Sequence, residues 1–194
     1  MNMDLGNTKL IMKTCSNEGL LRNQAAYVLA TAFWETNRTM KPVKEAYWVN
    51  NAETWRKNNL RYWPWYGRGY VQLTWEANYI KAGKSLGLDL TTDPDVVMEP
   101  GISAKILVRG SKQGWFTGKR LDHYITIKRS DFRGARRIIN GTDKAADIAE
   151  IAKAYDKALL EQGYGVDDQQ EPTQPNPFAA IIAAFLAIFG KGRK

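Results

Sequence analysis

The chain has 194 residues, 44% hydrophobic and 25% charged, which suits one globular domain with a small appendage. A single cysteine, Cys15, excludes an internal disulfide, and a single histidine, His123, leaves too few soft ligands for the common zinc sites, which removes zinc amidase and zinc peptidase chemistry. With 28 Lys and Arg against 20 Asp and Glu the net charge is +8, favouring polyanionic partners such as nucleic acid, membrane headgroups or bacterial envelope polymers.

No uninterrupted apolar run occurs in the first thirty residues, because Asn17, Glu18, Arg22 and Asn23 break it, so a signal peptide is not expected and the chain should fold in the cytoplasm. Asn23 can cap a helix through Glu35, with Ala26, Leu29, Ala30 and Phe33 on one stripe and Val28, Ala32 and Glu35 on another. Glu35 then sits in the last turn, facing the negative end of the helix dipole, which favours the neutral carboxyl. Residues 62–73 read as a Gly-punctuated turn into a short strand, Tyr70 to Leu73, and a helix follows from Trp75 to Leu86 with a stop at Gly87.

Further helices are predicted over Gly101–Arg109 and Asp131–Ile139, the latter capped by Asp131. From Asp143 to Gln162, Ile148, Ile151, Ala152, Tyr155 and Leu159 mark one face, and Gly163 supplies the stop. The segment Lys112–Arg137 holds eight basic residues against Asp122 and Asp131, a solvated basic face by default. Residues 165–177, rich in Asp, Gln, Pro and Asn, form a linker. Twelve apolar residues, Phe178–Phe189, follow and end in Lys191, Arg193 and Lys194. As a helix they would reach about 18 Å against a hydrocarbon core of ~30 Å, which fits a helix lying in a membrane interface, or one docked on the domain, better than a spanning anchor.

The chemistry concentrates in the first half. Eleven of the sixteen Trp and Tyr lie within residues 34–79, where rings with polar tips suit a wet cleft for flat, hydroxylated ligands such as sugars. The same rings beside the basic run could stack on single-stranded nucleic acid, but that leaves the carboxylates idle. Glu35 and Glu45 border this window, and the turn at Pro42 could set them across one groove. Glycoside hydrolysis needs such a pair: a protonated carboxyl for the leaving oxygen and a carboxylate that activates water.

Three blocks, Ala30–Thr36 (ATAFWET), Met40–Tyr47 (MKPVKEAY) and Tyr66–Trp75 (YGRGYVQLTW) with Asn78-Tyr79, together with Arg136–Gly141 (RRIING), resemble the phage endolysin branch of family-19 glycoside hydrolases, relatives of plant chitinases. The resemblance covers residues 20–165 in order. It implies a mainly helical, lysozyme-like α+β catalytic domain over residues 1–164 with a small β element; the linker and the apolar C-terminal helix, residues 178–194, follow from composition. It further implies a monomeric, cofactor-free enzyme that needs no nucleic acid. Made in the host cytoplasm, it would hydrolyse β-1,4 bonds of peptidoglycan in the periplasm by an inverting displacement, with chitinase or lytic transglycosylase, or a non-catalytic envelope- or nucleic-acid-binding module, as alternatives.

Residue by residue, the resemblance makes Glu35 the general acid, Glu45 the base and Thr74 the hydroxyl that holds the attacking water, with carboxyls about 6.5–9.5 Å apart. Thr74 is equally a good N-cap for the following helix. Gln72, Asn78 and Asn140 match substrate-contacting positions, Asn140 also being placed to end a helix, and Tyr66 joins them as a cleft ring. Arg68 either pairs with a catalytic carboxylate or salt-bridges within its turn. Trp34 stands where plant relatives have His, so the acid gains an apolar neighbour.

Overall fold

The structure, a computed structural model, describes residues 1–165; the apolar tail and all of the linker except Gly165 lie outside the described residues. Seven helices occur among these residues: α1 Thr8–Asn17, α2 Arg22–Glu35, α3 Ala52–Asn59, α4 Glu76–Leu86, α5 Pro100–Gln113, α6 Phe132–Ala135 and α7 Ala145–Glu161. Two antiparallel pairs of two-residue strands complete it, β1 Val43–Lys44 with β2 Arg68–Gly69 and β3 Ile125–Thr126 with β4 Arg129–Ser130. The mainly helical, lysozyme-like domain with a small β element is the architecture expected from the sequence.

Helix α2 is the axis. Every residue from Ala25 to Ala32 is buried, so the helix is apolar all round rather than striped, as suits an element enclosed by its neighbours. Its principal partner is α7, whose Ile148, Ala152, Tyr155 and Leu159 are fully buried on the predicted face. Phe33 meets Tyr155 edge to face at 6.2 Å, one turn from the end of α2. Glu35 is therefore delivered to the surface from a helix that cannot shift without opening the core.

The start of α2 differs from expectation. Leu21 is the N-cap, with Gln24 Oε1 accepting from its N–H at 3.2 Å, whereas Asn23 Nδ2 donates to Thr126 O and Ser130 Oγ and ties α2 to the second strand pair. Asp131 does cap α6, accepting from Gly134 N at 2.7 Å, but the helix lasts only to Ala135 before tightening into a 3₁₀ turn over Arg136–Ile138. The strand expected at 70–73 is instead a tight loop closed by the Arg68–Leu73 bridge. Cys15 lies in the core, where burial pushes its thiol far up, and His123 sits at the surface.

Candidate active site

A groove of two chambers runs past the end of α2. One, about 380 Å³, is lined by Glu35, Tyr62, Val71, Gln72, Leu73, Thr74, Trp75, Asn78, Phe116, Ile139 and Asn140. The other, about 470 Å³, is lined by Trp34, Glu35, Asn37, Val43, Lys44, Tyr47, Trp48 and Gln72. Glu35 and Gln72 belong to both, so the expected acid stands where the chambers meet.

The expectation of apolar surroundings for Glu35 is corrected. Arg136 Nη1 donates to Glu35 Oε1 at 2.6 Å, and the guanidinium is only 4% exposed, steadied by Nε donating to Asp143 O at 3.2 Å. Trp34 lines the second chamber beside Glu35, but the acid's direct partner is a cation. Oε2 has no hydrogen-bond partner among the described residues.

Glu45 is set by the β1–β2 tie. Its N–H donates to Gly67 O at 2.7 Å just past the Lys44–Arg68 pair, and Gly67 N returns a bond to Glu45 Oε2 at 2.9 Å. A Cβ at Gly67 would fall 2.7 Å from Gln72 Oε1 and 3.2 Å from Glu45 Oε2, so the glycine lets base candidate and cleft amide approach one backbone. Arg56 Nε anchors the Glu45 carbonyl at 2.6 Å. Tyr62 Oη donates to Glu45 Oε1 at 2.7 Å. Glu45 itself lines neither chamber; Tyr62 stands between it and the groove.

Thr74 lines the first chamber but is not a helix cap, since α4 begins at Glu76 after Trp75 and its first turn receives no side-chain bond. The Thr74 hydroxyl donates to Gln72 O at 2.8 Å, which leaves its lone pairs to accept from water. Gln72 Nε2 is spent on Val43 O at 2.9 Å and Gly69 O at 3.3 Å, fixing Oε1 as the free end of the amide. Asn78 Nδ2 holds Thr74 O at 2.8 Å, and Asn140 Oδ1 accepts from Gly141 N, leaving its Nδ2 as a donor. Both Gln72 and Trp75 adopt positive φ, 52° and 74°, costing of order 1–3 kcal/mol each and bracketing Thr74 with strained backbone.

Tyr66 and Arg68 are not brought to the groove. Tyr66 is 1% exposed with its hydroxyl on Glu53 at 2.9 Å. Arg68 is buried, stacked 3.6 Å from the Tyr66 ring centre, with Nε on Asp95 at 2.7 Å and Nη1 on Pro64 O, Tyr66 O and Tyr79 Oη. Arg68 thus pairs with neither candidate catalytic carboxylate, and its salt bridge leaves the turn for Asp95, 27 positions on; its Nη1 serves the turn carbonyls of Pro64 and Tyr66, the latter also accepting from Tyr79 Oη at 2.7 Å. Burial disfavours the Asp95 anion, but hydrogen bonds from Lys44 and Arg68, and their charges, hold its carboxyl below the usual range. Among the described residues no group of three His, Cys, Asp or Glu side chains is arranged to hold a metal.

Sequence reasoning missed three features: the Arg136–Glu35 pair, the Tyr62–Glu45 bond and the role of Gly67. Arg136 belongs in sequence to the basic run and to the Arg136–Gly141 block, where nothing local separates it from exposed Arg137.

The fold has counterparts. Chitinase C from Streptomyces griseus HUT6037 superimposes with a TM-score of 0.56 and 23% identity over 72% of this chain and 60% of its own, a likeness of fold. An acidic endochitinase of Dioscorea japonica is 40% identical over 79 residues, 40% of this chain and 29% of the plant protein. An endochitinase of Arabidopsis thaliana is 64% identical over 33 residues, 17% of this chain and 12% of its own. The chain thus spans less than a third of the length of these curated relatives. Residues 33–118, the stretch that holds Glu35, Glu45, Tyr62, Gln72, Thr74 and Asn78, match the family model of class I chitinases, glycoside hydrolase family 19.

Proposed function

We propose that the protein hydrolyses β-1,4 glycosidic bonds of peptidoglycan, in the manner of an endolysin. The observation that carries the reading is the groove itself: one carboxylate, Glu35, at the junction of two chambers and a second, Glu45, reached through the first chamber's wall. Glu35 protonates the glycosidic oxygen from Oε2, and Arg136 on Oε1 pairs the carboxylate that results. Thr74 Oγ1 accepts a hydrogen bond from the attacking water and aims its lone pair at the anomeric carbon, while the Glu45 side of the groove takes the one proton that the water loses. Gln72 Oε1 and Asn140 Nδ2 offer an acceptor and a donor to N-acetyl and hydroxyl groups, and Trp48, 73% exposed, offers a ring face to a sugar.

The net charge of +8 supports an anionic wall polymer as substrate. Chitin is the second reading, supported by the names of the plant and Streptomyces relatives. Parallel digestion of purified sacculi and of chitohexaose, with products identified by mass spectrometry, separates them. Release of disaccharide muropeptides at the higher kcat/KM supports the wall; faster cleavage of chitohexaose transfers the activity to chitin.

A further inference from the structure

The Glu45 carboxylate is enclosed in a way that a directly acting base would not be. Gly67 N donates to Oε2 and the Tyr62 hydroxyl to Oε1, so each carboxylate oxygen already accepts one hydrogen bond, and the one on Oε1 comes from a side chain that lines the chamber Glu45 itself does not reach. Tyr62, by contrast, lines the chamber with Glu35 and Thr74. Its hydroxyl donates to Glu45, which leaves the phenolic lone pairs to accept from a water in the chamber. The ring is held by Trp75 at 4.9 Å, and Trp75 in turn lies under the Arg61 guanidinium at 5.0 Å.

We propose that Tyr62 is the group that takes the proton of the attacking water and passes its own to Glu45. This rests on reading the groove as a hydrolytic site. In the step, the water oxygen bonds to the anomeric carbon as the glycosidic C–O bond breaks, and the leaving oxygen takes the proton of Glu35. The water proton goes to Tyr62 Oη while the phenolic proton moves to Glu45 Oε1, so Tyr62 ends as it began, Glu45 ends neutral and Glu35 ends ionised on Arg136. Exchange with solvent restores both carboxyls.

Burial, together with the hydrogen bond to Glu45 and its charge, pushes the Tyr62 phenol up to about 12, which keeps its proton in place at neutral pH until the water supplies another. Charged groups near the pair include Arg56, on the Glu45 carbonyl and ion-paired with Glu53 at 3.0 Å, and Arg61, over Trp75; none of the three hydrogen-bonds the Glu45 carboxylate.

The test compares full-length wild type, Tyr62→Phe, Glu45→Gln and Glu35→Gln on dyed sacculi and on chitohexaose, reading kcat, KM and the pH profile of kcat/KM. Tyr62→Phe should lower kcat about a hundredfold with KM within about twofold, the scale of lost general-base assistance, and should also lose the acidic limb of the profile because Glu45 is disconnected from the water. A variant that is slower but keeps that limb makes Tyr62 a positioning residue only, and near-normal kcat removes it from the reaction; either result overturns the relay. Thermal unfolding of Tyr62→Phe within a few degrees of wild type separates these outcomes from misfolding; should it unfold, the 3,5-difluorotyrosine replacement, which keeps ring and hydroxyl but has a more acidic phenol, should move the basic limb of the profile to lower pH, and an unshifted basic limb overturns the relay. Wild type that cleaves neither polymer, or Glu35→Gln that still cleaves, would instead overturn the hydrolytic reading beneath it.

Discussion

At the scale of single residues, Glu35 is an acid whose nearest partner is a buried cation, and that makes its replacements informative. Losing one partner of a buried ion pair costs about 3–5 kcal/mol when the other charge is stranded, and Arg136 is 4% exposed. Glu35→Gln keeps an oxygen for Arg136 Nη1, whereas Glu35→Ala keeps none. Both should abolish glycan cleavage, and melting temperatures should fall in the order wild type, Gln, Ala; melting of both variants equal to wild type would mean that the pair contributes nothing to stability. Thr74→Ser should retain most of the rate and Thr74→Val should lose it, since the chamber needs a hydroxyl oxygen. Val also forfeits the bond to Gln72 O, about 1 kcal/mol, which calorimetry can read separately from the rate. Glu35 was legible in the sequence because helical spacing carried α2 to it. Its partner was not, because Arg136 lies 101 positions away and only the packing of α7 against α2, with α6 packed on α7, brings it there.

At the scale of elements, the β1–β2 tie and the loop 67–75 form the part of the groove where alternating residues misled the sequence reading. Tyr70, Val71, Gln72 and Leu73 carry strand-like residues, yet the Arg68–Leu73 bridge closes a loop too short for a strand and forces Gln72 to φ 52°. The helix stops were easier to read, because Gly87 is the left-handed C-cap of α4 at φ 69° and no strand pairing competes there. Gly67→Ala tests the loop: the added carbon must displace Gln72 Oε1 or Glu45 Oε2, so activity should fall about ten- to hundredfold with the melting temperature nearly unchanged. Unaltered activity would show that Gln72 and Glu45 tolerate the shift. The Arg68–Asp95 pair beneath the loop predicts a pH effect. Because the folded carboxyl titrates below its unfolded value of about 3.9, its contribution is present above that value and disappears as pH falls through the folded one. With the Asp95 side chain 51% exposed the contribution is at most about 1 kcal/mol. Wild type should therefore lose its stability margin over Asp95→Asn as pH falls from about 5 to about 2, and melting curves that stay parallel would contradict it.

At the scale of the whole molecule, the aromatic-rich window splits between fold and surface. Tyr66, Tyr70 and Tyr79 are buried, while Tyr47, Trp48, Trp55, Trp63 and Trp75 remain exposed, three of these five along the groove. Ring chemistry alone could not assign them, because tyrosine serves a core when its hydroxyl finds a partner, as Tyr66 finds Glu53. The measurement that bears most directly on the account is the reducing-end analysis of sacculi digested by wild type and by Glu35→Gln. The account predicts soluble muropeptides with new reducing sugar ends from wild type and none from the variant. Anhydro-muramic ends, or equal release by both proteins, would contradict hydrolysis at the junction of the two chambers.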